Sequence, residues 1–196
     1  MTATEQIKIV LVGNSGVGKT SILNWYQHNV KDVVPTIGAS CTDMLVDIDG
    51  TITNLSIWDT AGQLQFRDLM PLYFRDACVI MICFSVNDDD SFSSIKDWDN
   101  LIINKAPANV VKLIVCNKID LEDKPFPVDQ ITSLQHEIGA SEVFRTSAVT
   151  GEGINYLFEF IKKAKDIPRD QNFMTHLTSE DKEILSTTPQ EEKKCC

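Results

Sequence analysis

The sequence predicts an α/β fold: a six-stranded, mostly parallel sheet with one antiparallel strand and helices on both faces. Strand-like apolar runs alternate with helical patterns along residues 1–166, which is typical of a parallel sheet. Residues 77–85 are apolar almost throughout, as in a central strand covered on both faces. Asp49-Gly50 lies between two strand-like runs and favours a tight hairpin turn, which accounts for the antiparallel strand.

The strands and helices are predicted in alternation. Short runs rich in apolar and β-branched residues predict strands at 7–12, 41–48, 51–58, 77–85, 110–116 and 143–146. Apolar residues at helical spacing predict helices at 21–27, 91–105, 128–138 and 153–165. Pro107 follows the second helix, and Gly139 ends the third. Such sheets bind ligands beyond the carboxyl ends of their strands, where the motifs below fall.

The composition indicates one acidic domain. The 196 residues include 18 Lys or Arg and 28 Asp or Glu, a net charge of −10, which argues against nucleic acid as a partner. We find no signal segment at the start and no apolar run long enough to span a bilayer. Cys78, Cys83 and Cys116 stand in apolar runs, so we expect reduced core cysteines in a cytoplasmic, monomeric protein.

A glycine-rich loop between the first strand and the first helix is predicted to bind phosphate. Residues 13–20, Gly-Asn-Ser-Gly-Val-Gly-Lys-Thr, fit G-x-x-x-x-G-K-[ST] at each fixed position. Glycines let backbone N–H groups point at a phosphate, and the helix N-terminus adds its positive dipole end. In this pattern Lys19 reaches the β- and γ-phosphates and the Thr20 hydroxyl binds Mg²⁺. The predicted phosphate-binding residues are Ser15, Gly16, Val17, Gly18, Lys19, Thr20 and Ser21.

A second motif, Asp59-Thr60-Ala61-Gly62-Gln63, directly follows the strand at 51–58. A carboxylate at a strand end is suited to a magnesium site near phosphates, usually acting through a water. Gly62 lets its backbone N–H approach a γ-phosphate closely. Gln63 can orient an attacking water. An Asp-x-x-Gly sequence is common in turns, so the motif gains its weight from the phosphate loop before it.

The third motif, Asn117-Lys118-Ile119-Asp120, follows the strand at 110–116 and indicates base recognition. The Asp120 carboxylate can accept hydrogen bonds from two guanine N–H groups, which adenine does not offer in that arrangement. A site built for such bonds rejects a ligand that lacks them, because its own polar groups would stay unpaired. The motif therefore predicts a guanine nucleotide.

In this order, the motifs resemble those of Ras-superfamily small GTPases, and of the Rab branch in particular, over about residues 5–166. The resemblance implies the P-loop GTPase fold in a domain at residues 1–166, with GTP or GDP and Mg²⁺ as ligands. It implies that Thr36, in Pro35-Thr36-Ile37-Gly38, binds Mg²⁺ and contacts the γ-phosphate in the triphosphate state. The implied metal ligands are thus Thr20, Thr36 and Asp59, and the implied catalytic residues are Gln63, Lys19 and Thr36.

The base site implied by the resemblance has two parts. Asn117, Lys118 and Asp120 would hold the guanine, with Gly62 at the phosphate end of the nucleotide. Ser147, Ala148 and Val149 would form a loop whose Ala148 N–H meets the guanine oxygen. The resemblance also implies slow hydrolysis, a role in vesicle and membrane trafficking, and an exchange factor, a GTPase-activating protein and effectors bound through residues 30–41 and 60–76.

Several segments depart from the Rab pattern. Val149 replaces the usual Lys, the stretch between Lys19 and Thr36 is about two residues short, and residues 37–41 read Ile-Gly-Ala-Ser-Cys. Residues 34–36, 70–73 and 82–86 resemble Rho proteins, whereas Asn117 and the chain end resemble Rab proteins. The alternatives are therefore a Rho-like signalling GTPase, or a nucleotide-holding interaction module with negligible hydrolysis. Asp120 argues against an ATPase or a nucleotide kinase.

Residues 167–196 are predicted to form a flexible hypervariable tail that ends in a prenylation motif. Polar residues dominate, and Glu191-Glu192-Lys193-Lys194 is neutral in sum, so the segment is no polybasic membrane patch. By the Rab resemblance, Cys195 and Cys196 would both carry geranylgeranyl groups. Two chains suit this tail because one lipid chain gives marginal membrane binding. The lipidated protein would bind the prenylation machinery and the cytoplasmic face of an intracellular or plasma membrane.

Overall fold

A computed structural model describes residues 5–28, 36–121 and 128–171, and all structural statements concern these residues. Their strands form one sheet: β1 (Glu5–Val12), β2 (Ala39–Ile48), β3 (Thr51–Thr60), β4 (Val79–Ser85), β5 (Val111–Asn117) and β6 (Glu142–Arg145). The strand order is β2-β3-β1-β4-β5-β6. The β2–β3 pair is antiparallel and the other pairs are parallel. The predicted sheet is confirmed.

The helices are α1 (Lys19–His28), α2 (Met70–Phe74), α3 (Asp89–Ser93), α4 (Ile95–Lys105), α5 (Val128–Ile138) and α6 (Ile154–Lys163), with 3-10 turns at Leu64–Leu69 and Ile119–Leu121. The predicted helix at 91–105 is instead the pair α3 and α4, with Ser94 between them. It also starts earlier, because the Asp88 side chain accepts from Ser91 N at 3.1 Å and caps α3. The sequence did not predict α2.

Each face of the sheet packs on its own set of helices. Side chains alternate along β1, so Ile7, Ile9 and Leu11 lie on one face and Val10 and Val12 on the other. The first face packs on α1 and α6 through Ile22, Leu157, Phe158 and Ile161. The second packs on α2, α4 and α5 through Met70, Phe74, Trp98, Ile102, Ile131 and Leu134. As predicted, Cys78, Cys83 and Cys116 are buried free thiols.

The chain continues to pack on the domain beyond residue 166, within the predicted tail at residues 167–196. Ile167 is buried, and Gln6 and Asp170 exchange two backbone hydrogen bonds of 2.9 Å near the start of β1. Arg169 pairs with Glu5 at 3.2 Å and donates to Lys162 O at 2.9 Å. Residues 167–171 are therefore fixed at the amino end of β1. No helix in the described part of the chain is long and apolar enough to span a bilayer.

Candidate nucleotide site

The loop between β1 and α1 needs glycine at two positions that touch other strands. Gly13 has φ +137°, and a Cβ there would lie 2.1 Å from Cys83 O in β4. Gly18 has φ +98°, and a Cβ there would lie 2.3 Å from the Asn117 side-chain nitrogen at the end of β5. Any side chain would collide, and an L-residue would also be strained. The pattern of glycines therefore fixes how closely this loop lies on the sheet edge.

Lys19 is folded over the loop. Its Nζ donates to Gly13 O at 2.8 Å and to Asn14 O at 2.9 Å, and the residue is only 5% exposed. Burial lowers the pKa of Lys19, and the Asp59 carboxylate acts in the opposite direction. The ammonium group is therefore pre-positioned at the loop, held by carbonyls that an anionic ligand could replace.

Three predicted metal ligands meet at the end of β3. Asp59 Oδ2 accepts from Thr20 Oγ1 at 2.6 Å and from Thr36 Oγ1 at 3.1 Å, and the two hydroxyl oxygens are 2.8 Å apart. Asp59 is 1% exposed, and burial raises its pKa while the two hydroxyl bonds lower it. Its Oδ1 is buried and accepts no hydrogen bond from the described residues. We call these three side chains the oxygen cluster.

The oxygen cluster has the chemistry of a hard-cation site. One carboxylate and two hydroxyls, all close together, are the oxygen donors that Mg²⁺ takes alongside water and phosphate. A buried carboxylate oxygen without a partner costs about 1–3 kcal/mol or more, a cost that a cation would remove. Thr20, Thr36 and Asp59 thus fit the ion.

A cavity of about 270 Å³ opens beside the oxygen cluster. Its lining includes most of the predicted phosphate-binding residues, and Thr60 and Ala61 as well: Ser15, Gly16, Gly18, Lys19, Thr20, Ser21, Thr36, Thr60, Ala61 and Gly62. The side chain of Val17 is instead buried in the core. Thr60 and Ala61 stand in the second motif, so the sequence placed them near the site without assigning them to it.

The loop after β3 lies directly on the phosphate loop. A Cβ on Gly62 would be 2.3 Å from Asn14 C and 2.4 Å from Ser15 N, so glycine is required for this contact. Ala61 N donates to Gly38 O at 2.7 Å, which ties the residues after Thr36 to the same loop. Gln63 is the next residue; it is exposed and precedes the 3-10 turn at Leu64–Leu69.

Asn117 joins the predicted phosphate-binding loop to the predicted base-binding segment after β6. It is 1% exposed; its Nδ2 donates to Val17 O at 2.9 Å, and its Oδ1 accepts from Thr146 Oγ1 at 3.1 Å. Both ends of the amide are thus bonded to protein. The Asn117 side chain, which the sequence predicts to hold the base, thus links the loop that contains Val17 to the segment that contains Thr146.

The remaining predicted base residues meet where β5 and β6 end. Asp120 is exposed and its Oδ1 accepts from Ser147 Oγ, while Lys118 has φ +64°. Ser147 Oγ in turn accepts from Val149 N at 3.2 Å and Thr150 N at 3.1 Å. Ala148 is partly buried, and the Val149 side chain is 62% exposed. The two predicted base-binding segments, far apart in sequence, are therefore in contact through Ser147 and Asp120.

The contacts that join Asn14 of the phosphate loop to Ser94 and Trp98 were not predicted, and we call them the bracket. Asn14 Nδ2 donates to Ser94 Oγ at 3.0 Å, and Trp98 Nε1 donates to Asn14 Oδ1 at 3.2 Å. The guanidinium of Arg67 lies over the Trp98 ring, 4.7 Å from its centroid. In sequence, Asn14 occupies a free position of the loop pattern and Trp98 belongs to an apolar helical stripe, so neither signals the contact.

Proteins with a phosphate loop hold a nucleoside triphosphate at this edge of the sheet, and the geometry of residues 13–20 with Asp59 defines this chain as one of them. The model of the Ras family matches residues 8–166, and the chain belongs to that family. It is accordingly a Rab-like small GTPase, an enzyme that hydrolyses GTP, as the sequence predicted.

Relatives of known name support the Rab-like assignment. Ras-related protein Rab-31 of Rattus norvegicus is 35% identical over 169 residues, covering 83% of this chain and 85% of that protein. Ras-related protein RABE1e of Arabidopsis thaliana is 36% identical over 165 residues, covering 82% and 74%. Ras-related protein Rab-9A of Homo sapiens is 29% identical over 195 residues, covering 96% of each chain.

Proposed function

We propose that this protein is a switch that binds GTP or GDP together with Mg²⁺, hydrolyses GTP slowly and regulates membrane trafficking. The observation that carries the proposal is the oxygen cluster, in which Thr36 reaches Thr20 and Asp59 across the phosphate-binding cavity. A residue that joins a cation site from a separate segment can report whether a γ-phosphate is present. Gln63 stands two residues after Ala61, whose N–H donates to Gly38 O of that segment, and its presence supports hydrolysis over mere nucleotide holding.

The chain's own residues divide the work of hydrolysis. Lys19 and the backbone N–H groups of residues 15–20 would bind the β- and γ-phosphates, and Gln63 would orient the attacking water. Thr20, Thr36 and Asp59 would hold Mg²⁺, which when bound neutralises charge on phosphate oxygens. The cavity lining contains no arginine in the described residues. Hydrolysis by the protein alone should therefore be slow, and a partner's arginine should accelerate it by about 10³–10⁵.

Guanine selectivity is proposed to rest on Asp120. Its carboxylate is exposed at the shared end of β5 and β6, where a base joined to phosphates in the cavity could reach it. Asp120→Asn should shift preference toward xanthine nucleotides, because the amide supplies a donor where xanthine has a carbonyl.

The test is the nucleotide itself. Purified protein is denatured, the released nucleotide is identified by chromatography, and GTP, XTP and ATP are then competed against it for the parent and for Asp120→Asn. Guanine nucleotide in the parent and a xanthine preference in the variant are expected. Equal competition by ATP and GTP in the parent would contradict the proposed site.

Partners are proposed to bind beside the cavity. Ile37, the neighbour of Thr36, is 84% exposed and Leu72 is 68% exposed, so each of the segments 36–41 and 60–76 presents an apolar side chain to solvent. Such a surface favours protein partners, here an exchange factor, a GTPase-activating protein and effectors. Residues 30–35, which the sequence also assigned to this surface, lie outside the described residues.

Membrane attachment is proposed to depend on Cys195 and Cys196, which lie outside the described residues. A variant with both cysteines changed to serine should move to the soluble fraction, and either single change should leave weak, reversible binding. High salt should release little of the parent, because no basic patch contributes. Undiminished sedimentation of the double variant with membranes would contradict lipid anchoring.

A further inference from the structure

Trp25 in α1 lies against the backbone of the loop at residues 147–151. Gly151 has φ +85°, and a Cβ there would lie 2.0 Å from Trp25 Cζ2, 2.3 Å from Cε2 and 2.8 Å from Nε1. The indole ring therefore fills the space beside Gly151 and leaves no room for a methyl group. Trp25 and Ala148 are both partly buried and both pack on the same core cluster.

The loop fixes its own shape through internal bonds. Gly151 N donates to Ser147 O at 2.8 Å, Ser147 N donates to Glu152 O at 3.0 Å, and Ser147 Oγ accepts from Val149 N and Thr150 N. These bonds do not set where the loop sits on the domain. Its position comes from contacts with other elements, among them Ile119 N to Thr146 O at 3.2 Å and the indole under Gly151.

Two neighbouring aromatic residues of α1 serve different contacts. Tyr26 stacks on Phe158 of α6, with ring centroids 3.7 Å apart and planes at 11°, and so holds the two helices together. Trp25 instead meets Gly151, three residues beyond Ala148. On the outer side of the loop, Val149 is 62% exposed, so little packs on the loop from that side. The contact between Trp25 and Gly151 therefore sets how far the loop at residues 147–151 lies from α1.

We propose that Trp25 is a positioning residue for guanine recognition: its indole supports Gly151 and so holds the Ala148 N–H where it meets the oxygen at position 6 of guanine. The inference rests on the guanine site proposed above and on the Ala148 contact that the Rab resemblance implies. Trp25 acts through the loop and touches no base atom itself. Removing the ring should let the loop sink toward α1 and lengthen the bond to the base.

The first experiment compares nucleotide release from the full chain. Release of a fluorescent GDP analogue is timed for the parent, Trp25→Ala, Trp25→Phe and Tyr26→Leu. Trp25→Ala should release it about ten- to a hundred-fold faster, the range that loss of a supporting residue costs at metal sites. Trp25→Phe should restore part of the difference. Tyr26→Leu, the matched loss of an aromatic contact in the same helix, should lower the melting temperature and leave release nearly unchanged.

The second experiment asks which base atom is affected. The diphosphate of 2-aminopurine riboside lacks the oxygen at position 6 and the proton on N1, and it keeps the 2-amino group of guanine. The lost N1–H bond to Asp120 weakens this analogue equally in the parent and in the variant, so it cancels from the comparison. Trp25→Ala should therefore reduce the preference for GDP over this analogue by the factor seen in release, since the analogue has no bond at position 6 to lose. A residue that merely stabilises the fold would weaken both ligands equally, and that result would overturn the proposal.

A third variant approaches the contact from the other side. In Gly151→Ala the new methyl group must push on the indole ring, so GDP release should accelerate; adding Trp25→Ala should recover part of the loss, although backbone strain at φ +85° remains. Equal release from Trp25→Ala and Tyr26→Leu would overturn the role of Trp25 alone. A parent that binds ADP as well as GDP would overturn the guanine site, and the inference with it.

Discussion

Replacing Gly62 by alanine is expected to remove most GTP hydrolysis through one methyl group. The new Cβ would lie 2.3 Å from Asn14 C, 2.4 Å from Ser15 N and 2.5 Å from Asn14 O, whereas ordinary contact begins at 3.4 Å. All three atoms belong to the backbone of the phosphate loop, so no side chain can rotate away. The loop after β3 must therefore retreat by the difference, about 1 Å. The backbone of Gly62 lies outside the left-handed region, so alanine adds no strain of its own.

The retreat carries Gln63 away from the phosphates. A misplacement of about 1 Å costs a reaction about 10²-fold in rate, or about 2.7 kcal/mol in barrier height. Single-turnover GTP hydrolysis measures the rate, and release of GDP, which does not need Gln63, should change much less. Gly50→Ala is the control: Gly50 has φ +86° in the hairpin turn, and a Cβ added there would meet no atom within 4 Å, so strain acts there without displacement. Hydrolysis by Gly62→Ala within about threefold of the parent would refute the steric reasoning.

Three further outcomes follow from contacts of the site. Asn117→Ala leaves Val17 O and Thr146 Oγ1 without their partner in the interior. The free energy of unfolding, measured in urea at fixed excess GDP, should therefore fall by about 2–6 kcal/mol. Thr146→Val breaks one of these bonds and should lower the free energy of unfolding by less. Gln63→Leu should retain GTP, because leucine cannot orient water; a single-turnover rate equal to the parent's would remove Gln63 from the mechanism. Cys41 is an exposed residue, yet desolvation raises the pKa of its thiol. In a protein that also carries Cys195→Ser and Cys196→Ser, iodoacetamide should therefore label Cys41 more slowly at pH 8 than it labels free cysteine, and the rate should increase as the pH rises. Cys41→Ser should abolish this labelling.

The sheet and the phosphate loop could be predicted because local sequence determines them. Residues of β4 are all buried, and they are apolar from Val79 to Phe84, which the run at 77–85 shows; Ser85 ends the strand. Gly13 and Gly18 are required by steric contact with neighbouring strands, so the loop pattern tolerates no substitution there. Because only glycine fits at these two positions, the glycine pattern in the sequence predicts the conformation of the loop.

The stretch at residues 64–74 could not be predicted because tertiary contacts stabilise it. α2 has five residues with Pro71 near its start, too short for a helical stripe to be recognised. Within α2, Met70 and Phe74 are fully buried, and Tyr73 packs on Trp58 with 5.8 Å between the ring centroids. The apolar residues were visible in the sequence; the helix they form depends on the sheet that receives them.

The role of Asn117 was hidden for a related reason. The third motif indicates that an amide is needed after β5, and base recognition is the nearest explanation from the residues alone. In the structure the amide bonds Val17 O, 100 positions away, and Thr146 Oγ1. A contact at that separation has no periodic or local signature, so the motif singled out Asn117 but could not identify these two partners.

These long-range contacts separate a fixed part of the site from a conditional one. The phosphate loop is held by Asn117 from the base side and by the bracket of Ser94 and Trp98 on Asn14, contacts that involve no ligand. Thr36 is held differently, by hydroxyl contacts to Thr20 and Asp59, while its neighbour Ile37 is 84% exposed. A bound cation would take those same oxygens as ligands, so the position of Thr36 would follow what the oxygen cluster binds. On the proposed function, the loop at residues 13–20 would keep one conformation, and the conformational response would fall on Thr36 and the residues that follow it.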